Sequence, residues 1–389
     1  MKTNSLRFIL VFSCLVAVIM AIAVYFSQTQ VIDNARNVQE IKAEVLSVDN
    51  DDVSTVGLSS IGHQELEVKI LEGDYRGKTV TAKNNLTGKA DIENLFQVGD
   101  TIIVAVVTKN SAIDTVIAVD LYRQQTLLLL FALFVFALLL YAGVVGVKAL
   151  ISFVLTVFII WEVLVKNILA GSNPILTTTY TLMLLSAVII FLVAGFNRRG
   201  WSAFLGTISG LFITLLITLA FGDKVGLFGM TQPYVSMLVF SGYYNLDIRQ
   251  VFYSAIILGA SGAAMDIAMD IAASMDEVKC KKPDISPKEL IKSGFTVGRH
   301  VIGTMATTLL LAYSGGYLTL LMIFRVKESS VLRMLNLKIV AAEIMRTLIG
   351  SIGLVLVAPI TALVGGIIIT GIYKKIVFKS DRAVEPKQI

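Results

Sequence analysis

The organisation of this chain follows from one stretch, residues 258–278, which reads LGASGAAMDIAMDIAASMDEV. The stretch opens as apolar sequence of the kind that crosses a membrane, and it then places Asp266 and Asp270 four residues apart. Because a carboxylate inside an apolar helix is costly in lipid, such residues normally face the interior of a helix bundle and mark a pathway or a partner. The stretch therefore favours transport or helix association, and it specifies no reaction.

The composition is that of a polytopic membrane protein. Of the 389 residues, 56% are hydrophobic, and the mean hydropathy is +0.78, which excludes an ordinary soluble domain. Residues 27–122 hold 15 acidic and 8 basic residues, a net charge of −7 within a total of +5, so the remainder carries +12. Lys and Arg at the ends of apolar segments are expected at the cytoplasmic face, so the positive balance does not indicate nucleic-acid binding.

Hydropathy predicts about eight transmembrane helices. The first lies in residues 1–26, as a membrane anchor or a cleavable signal peptide. After a small domain at 27–122 follow a seven-helix membrane domain at 123–379 and a cytoplasmic tail at 380–389. The excess of Lys and Arg on one side predicts that both termini are cytoplasmic and that residues 27–122 lie outside. The later spans are predicted at residues 126–146, 149–165, 175–196, 201–221, 251–275, 300–324 and 348–373.

Residues 27–122 are the soluble-looking part of the chain. Apolar and polar residues alternate there in five short runs, which predict five strands, and residues 71–78 predict a hairpin loop between two of them. Such strands form a small closed or partly open β-barrel, of which the OB-like barrel is one form. Because no basic aromatic face is visible, the pattern favours a structural or regulatory role over ligand binding, although both stay open.

Two shorter segments carry signals of their own. Residues 230–247 contain an apolar run too short to cross a bilayer, between Pro233 and Gly242, which predicts an interfacial or re-entrant segment. Residues 286–289 read Ser-Pro-Lys-Glu, a capping box with proline at the first helical position. This motif predicts a short cytosolic helix that begins there.

Several of these patterns occur together in one known family. They are the run from Gly259 to Glu277, the pairs Gly298-Arg299 and Gly303-Thr304, the glycines Gly350 and Gly353, and the turn at residues 72–77. With them the chain resembles the YibE/F-like family of bacterial integral membrane proteins over essentially its whole length. The resemblance implies a multi-pass protein of the bacterial cytoplasmic membrane. It implies no catalytic residue.

Asp266 and Asp270 are the candidate ion pathway. At positions i and i+4 their carboxylates share one face of a helix, one turn apart, and their mutual repulsion favours a shared proton or cation. A rise of about 1.5 Å per residue from residue 251 predicts that Asp266 lies in the cytoplasmic half of the membrane and Asp270 near its inner boundary. A structural ion pair, for instance with Arg299, and an interfacial placement without a special role remain open.

A second set of residues supports this site. Gly259, Ser261 and Gly262 allow close helix approach or a local break in the helix. Glu343 and Arg346 stand three residues apart at the head of the last span, which predicts an intrahelical salt bridge. With two cysteines and two histidines, neither a disulfide framework nor a multi-histidine metal site is expected, and the identity of any bound metal is left unknown.

The sequence contains no phosphate-binding loop, HExxH, GxSxG or paired CxxC motif, so we expect neither an enzyme nor a cofactor. The first hypothesis is a secondary transporter or channel-like permease in the lipid bilayer, for a small cation or a proton-coupled solute. The alternative is a non-transporting assembly or signalling component whose outer β domain binds an envelope partner. A homo-oligomer or a membrane partner fits either hypothesis, and no nucleic acid is expected.

Overall fold

The computed structural model describes residues 38–371, except 58, 91, 110, 111, 328 and 329. The expected first span and the C-terminal tail lie outside the described residues, so both stay predictions. The chain divides into two compact units, with the boundary between Val147 and Lys148. In the described residues, the first unit holds a β-barrel and the beginning of a long helix, and the second holds the remaining helices.

The first unit is built on a closed barrel of five strands. These are β1 (Val38–Val56), β2 (Ser59–Ile70), β3 (Thr79–Thr87), β4 (Thr101–Lys109) and β5 (Ala112–Leu121). Their order is β1-β2-β3-β5-β4, and β4 pairs with β1 to close the barrel. Neighbouring strands are antiparallel except β3 and β5, which are parallel.

The alternation predicted from the sequence places the barrel core correctly. The side chains at the apolar positions of the strands point inwards and are almost completely buried: Ala43, Val45, Leu66, Val68, Ile70, Ala82, Ile102 and Val104. Residues 71–78 connect the antiparallel strands β2 and β3, as predicted for a hairpin loop. Local alternation was sufficient here because a barrel has one apolar interior and a polar outer surface.

One glycine of the barrel is required by backbone geometry. Gly62 has φ +128°, and a Cβ atom at this position would lie 1.9 Å from the Asp52 carbonyl oxygen. The register of β1 against β2 shifts just before Asp52, between Asp49 and Asp52, as in a β-bulge. Glycine therefore lets β2 approach the irregular part of β1.

The second unit is helical. Helix α1 (Gln124–Ile159) crosses the unit boundary and continues as a π-helical turn (Ile160–Val165) into α2 (Lys166–Leu169). The later helices are α3 (Pro174–Ala194), α4 (Arg198–Val225), α5 (Val235–Phe240), α6 (Ile248–Lys281), α7 (Pro287–Gly316), α8 (Leu318–Val326), α9 (Val331–Asn336) and α10 (Lys338–Thr370). Within the described ranges, five runs are long and apolar enough to span a membrane: α1–α2, α3, α4, α6 and α10. The bent pair α7–α8 makes a sixth if it is one broken span and not a re-entrant loop.

The helix boundaries differ from the predicted spans in two places. The spans expected at residues 126–146 and 149–165 correspond to two helices that meet at a kink inside α1, where Gly143 leaves the helical region with φ 51° and ψ −123°. Glycine reaches this conformation without the steric penalty that a Cβ atom brings. The break falls three residues before the predicted end of the first span, and the total of eight spans stays a prediction.

The capping box begins a helix where predicted, but the helix is not short. Ser286 Oγ accepts from the Glu289 backbone N–H and Glu289 Oε2 accepts from the Ser286 backbone N–H, each at 3.3 Å. Helix α7 then continues for 30 residues to Gly316 and bends by 69° into α8. The predicted cytosolic helix and the predicted span at residues 300–324 are therefore joined, because nothing between Pro287 and Gly315-Gly316 interrupts the helical pattern.

Helix α6 lies at the centre of the second unit. It packs against α3, α4, α7 and α10, and its residues Ile267, Ala268, Ile271 and Met275 are fully buried. The four surrounding helices form an arc in the order α3, α4, α10, α7, since each packs against the next. In the described part of the chain α3 and α7 share no comparable contact, so the arc is open between them.

Helices α4 and α10 approach each other along a stripe of small residues. The stripe on α4 repeats every four residues, and all its members are buried: Ser202, Gly206, Gly210, Thr214, Thr218 and Gly222. A Cβ atom on Gly206 would lie 2.1 Å from Thr361 Oγ1, and one on Gly210 would lie 2.0 Å from Val357 Cγ2. Small side chains let the two backbones pack closely, which is how helices associate where lipid removes the hydrophobic driving force.

Candidate functional site

The candidate site is carried by α6, a helix with defined ends. Asp247 caps its N-terminus, where Oδ1 accepts from the Gln250 backbone N–H at 3.1 Å. Lys279 and Lys281 lie in its last turn, where cations stabilise the negative end of the helix dipole. At about 1.5 Å per residue, its 34 residues extend for about 51 Å, well beyond a bilayer core of about 30 Å.

The two sides of α6 differ sharply. Most of its circumference packs against the surrounding helices. The exposed residues of its middle follow one another at intervals of three or four: Gly259, Gly262, Asp266 and Asp270. We call this set the glycine–aspartate face. Residues at this spacing share one side of a helix, so both carboxylates lie on the side of α6 that no described helix covers.

The two carboxylates have no partner among the described residues. No hydrogen bond or ion pair to Asp266 or Asp270 is formed there, although the neighbouring acidic Glu277 pairs with Lys281 at 3.3 Å. Open space lies above Gly259 and Gly262 as well, since a Cβ atom on either would have no described atom within 4 Å. The glycine–aspartate face is therefore open along several turns of the helix.

Contacts of α7 and α10 show how deep the carboxylates lie in the bundle. A Cβ atom on Gly298 of α7 would lie 3.2 Å from Ile271 Cδ1 and 3.1 Å from Ala358 Cβ. These three residues are therefore level, at the same depth along the axis of the bundle. One end of the bundle is marked by Arg198, whose Nη1 donates to the Ile369 carbonyl oxygen at 3.1 Å. Eleven residues separate Ala358 from Ile369, which is about 16 Å along α10.

This depth differs from the estimate made on the sequence alone. Asp270 precedes Ile271 and so lies about 16 Å from the Arg198 end, with Asp266 one turn further in. Half of a bilayer core is about 15 Å, so the pair lies near the middle of the bundle instead of near the inner boundary. The sequence-based estimate counted from residue 251 as if the membrane began there. The eleven residues from Asp270 to Lys281 match the eleven from Ala358 to Ile369, so α6 ends level with Arg198 and its excess length lies at its N-terminal end, which only its neighbours reveal.

Arg299 lies at the level of the carboxylates but does not bind them. It follows Gly298 on α7 and is exposed, and no ion pair joins it to Asp266 or Asp270 within the described chain. A second small residue of α7, Gly303, is also exposed with open space above it, four residues further along the same helix. Among the described residues, the ion pair with Arg299 considered from the sequence is therefore not formed.

The remaining predicted residues lie apart from the glycine–aspartate face. Ser261 is buried, and its Oγ donates to the Leu258 carbonyl oxygen of the same helix at 2.7 Å. Glu343 and Arg346 form the predicted intrahelical salt bridge at 3.5 Å near the start of α10. Gly350 lies on α10 between this salt bridge and the level of the carboxylates, and it packs beside Ala260 of α6. The structure therefore does not bring Glu343 and Arg346 to the carboxylates.

Buried hydroxyl groups are the feature that the sequence analysis missed. Thr178 and Ser186 on α3, Thr207 on α4 and Ser254 on α6 are at most 5% exposed, and their hydroxyls have no hydrogen-bond partner in the described residues. A polar cleft of about 490 Å³ borders the N-terminal ends of α3 and α6, with Asn173, Asp247 and Gln250 in its lining. The threonine run at residues 177–181, inside an apolar helix, was the available signal.

The arrangement can hold a proton or a small cation, because two carboxylates one turn apart offer four oxygens to a shared ion.

Comparison with known proteins gives the family of the chain. The family model described as YibE/F-like protein matches residues 130–371, and the model of the YibE/F family N-terminal domain matches residues 36–119. The chain belongs to the YibE/F-like family. No curated protein and no solved structure matches it significantly.

The family match and the helices together show a membrane protein. The two matched ranges correspond to the barrel and to the helical part of this YibE/F-like protein, and its apolar helices lie in the second range apart from the first turn or two of α1. Over the described ranges, no group of three or more His, Cys, Asp or Glu side chains lies close enough to hold a metal ion. Asp266 and Asp270 could thus give a metal ion two acidic ligands, and the described residues provide no third His, Cys, Asp or Glu ligand beside them.

Proposed function

We propose that this YibE/F-like protein is a secondary transporter or channel-like permease for a small cation or a proton-coupled solute. The observation that carries the proposal is the pair Asp266 and Asp270, at mid-depth on the open side of α6 and without a partner in the described residues. A charged group at that depth costs several kcal/mol unless it is neutralised, so it is retained where it has a role. No catalysed reaction and no cofactor are part of the proposal.

The chemistry of the pair fits an ion that binds and leaves. Two carboxylates one turn apart repel each other, and a proton or cation taken up between them relieves the repulsion. The unpartnered hydroxyls of Thr178 and Ser254 add polar groups on α3 and α6 towards the polar cleft. Such groups hydrogen-bond water or a hydrated solute, which supports a polar route through an otherwise apolar bundle.

The proposal includes a membrane orientation and a finer fold. We infer a bacterial cytoplasmic membrane location with eight spans, both termini in the cytoplasm and residues 27–122 outside, on the distribution of Lys and Arg. The strand order β1-β2-β3-β5-β4 with one parallel pair supports an OB-like assignment for the outer barrel. In the transporter such a barrel would act as a gate or as a docking site.

Liposome flux tests the proposal. The purified protein, Asp266→Asn and Asp276→Asn are reconstituted side by side, and proton and monovalent and divalent cation fluxes are recorded under imposed gradients. We expect flux in the wild type, a loss of at least tenfold in Asp266→Asn, and little change in Asp276→Asn, which lies almost three turns nearer the end of α6. Thermal unfolding in detergent shows whether each variant is folded. The proposal fails if the wild type carries no ion under any gradient.

A second function is favoured by the exposure of the same face. Asp266 and Asp270 lie on a side of α6 that the described helices leave open, as expected if the face binds another membrane segment. The protein would then be a non-transporting assembly or signalling component, with the outer barrel bound to an envelope partner. In that case Asp266→Asn changes association and leaves flux at the level of empty liposomes, and removal of the barrel abolishes a cross-link to the partner.

A further inference from the structure

We propose that the glycine–aspartate face of α6 and the adjacent exposed side of α7 bind a second copy of the same chain. The exposed residues of that side of α7 include Thr296, Arg299, His300, Gly303, Thr304 and Thr307. The proposal does not depend on whether the protein moves ions. It concerns which molecule covers a face that the described helices leave open.

Lipid is a poor occupant for this face. A carboxylate near the bilayer centre is costly, and Asp266 and Asp270 would both face acyl chains. Small residues are the usual contact surface of membrane helices, and Gly259, Gly262 and Gly303 each leave open space above the backbone. The face therefore has the composition of a helix–helix interface, and its two carboxylates require a counter-charge.

The counter-charge is present at the correct depth on a second copy. Two copies in one membrane have the same orientation, so a two-fold axis along the bilayer normal keeps every residue at its own depth. Gly298 is level with Ile271, and so Arg299 is level with Asp270. In an isologous dimer Arg299 of each copy can thus reach Asp270 of the other, which gives two ion pairs and leaves Asp266 free.

The apolar segments on either side of the barrel bring no such charge. Residues 8–26, the apolar stretch before the barrel, contain no Lys or Arg, and residues 126–146 contain none either. Arg346 is engaged with Glu343 near the start of α10. A second copy is therefore the occupant that the charge of the face selects, because it brings a guanidinium to the level of the carboxylate.

Charge reversal in trans tests the proposal. Two differently tagged copies are co-expressed, extracted in mild detergent and purified on one tag, and the fraction of the second tag is measured. We expect wild-type copies to purify together, and Asp270→Arg with itself or Arg299→Asp with itself to lose at least about fivefold of that signal, the equivalent of 1 kcal/mol. A mixture of one Asp270→Arg copy and one Arg299→Asp copy restores both pairs and should recover the signal.

The mixture of the two reversals distinguishes an interface between two copies from an ion pair inside one chain. An internal ion pair or a folding defect broken by either reversal cannot be repaired by a second molecule, so failure of the mixture to recover overturns the proposal. It is also overturned if wild-type copies do not purify together, or if single reversals leave the signal unchanged. Gly262→Leu, which has space in a single copy, should weaken association, and Lys292→Asp, an exposed residue two turns nearer the start of α7, should not.

Discussion

Buried polar residues of the barrel show how a side chain is stabilised when every hydrogen-bonding group has a partner. Gln64 is fully buried, and its Nε2 donates to Asn50 Oδ1 at 2.8 Å and to the Phe96 carbonyl oxygen at 2.9 Å. Its Oε1 accepts from Asn84 Nδ2 at 2.9 Å and from the Phe96 backbone N–H at 3.1 Å. The hydroxyls of Thr178 and Ser254 in the helical unit have no such partners in the described residues, and this contrast marks the helical unit as the place to look for solute or water.

Glu93 is a residue of the barrel for which the structure predicts a pH dependence. The hydroxyl of Thr87 donates to its carboxylate and is the largest cause that lowers the pKa of Glu93 below the ordinary value of 4.5. Partial burial acts in the opposite direction, and the backbone N–H groups of Thr87 and Lys89, at 2.8 and 3.0 Å, lower the pKa further. The ionised carboxylate of Glu93 thus stabilises the loop after β3 through these hydrogen bonds.

We expect this loop to loosen in acid. Because the folded pKa of Glu93 is lower than its unfolded value, the stabilisation is complete above about pH 4.5 and is lost as the pH falls through the folded pKa. Hydrogen exchange of the amides of Thr87 and Lys89, corrected for the intrinsic rate at each pH, should show falling protection over that range. Glu93→Gln should show weaker protection at pH 7 and no such transition, and Glu65→Gln, a carboxyl on the exposed face of β2, should behave as the wild type.

At the scale of elements, helices α4 and α10 pack so closely that added methyl groups would not fit between them. A Cβ atom on Gly206 would lie 2.9 Å from the Cβ and 3.0 Å from the Cα of Thr361, so the backbone of α10 has to move to admit a methyl group. The four-residue repeat of small residues on α4 was visible in the sequence. The helix that this repeat contacts could not be read from the sequence, because a small residue by itself does not specify which helix it faces.

Gly206→Ala should destabilise the helical unit by about 1–3 kcal/mol, the usual range for overpacking a tight contact. Gly350→Ala is the matched control on α10, since its Cβ would lie 3.7 Å from Ala260 Cβ, an ordinary contact distance. Thermal unfolding in detergent measures both variants. A transition temperature for Gly206→Ala equal to that of Gly350→Ala would show that α4 and α10 do not pack at this distance in the membrane protein.

At the scale of the whole molecule, the proposed orientation places the C-terminal end of α6 and the outer barrel on opposite sides of the membrane. Cys280 near the end of α6 is exposed and is proposed to be cytoplasmic, whereas Ser54 on β1 is exposed on the barrel and is proposed to be outside. Because a charged maleimide does not cross the membrane, it can reach only the outer residue in intact cells. The two positions therefore report the orientation independently.

In cells that carry Cys14→Ser, Cys280 should react with a membrane-permeant maleimide and not with an impermeant one. After Cys14→Ser and Cys280→Ser, a cysteine introduced by Ser54→Cys should react with both reagents. Mass spectrometry of the labelled protein gives the modified fraction at each position. Labelling of Cys280 by the impermeant reagent in intact cells would reverse the proposed orientation of α6 and α7.

The sequence by itself determined the class of this protein, the five strands and their buried positions, the start of α7, the Glu343–Arg346 pair and the YibE/F-like family. These features depend on local patterns, such as alternation on a barrel strand or a capping box, or on motifs along the chain. The position of β5 between β3 and β4 and the register at Gly62 were decided only by tertiary structure, because strands distant in sequence must meet to close the barrel.

The same limit applies to the candidate site. The spacing of Asp266 and Asp270 placed both carboxylates on one face of a helix, but which side of α6 is open depends on where α3, α4, α7 and α10 pack. Hydropathy could not supply this information, since lipid-facing and bundle-facing side chains are both apolar in a membrane helix. The depth of the pair likewise became visible only through contacts with neighbouring helices, because a helix longer than the bilayer does not mark in its own sequence where the membrane ends.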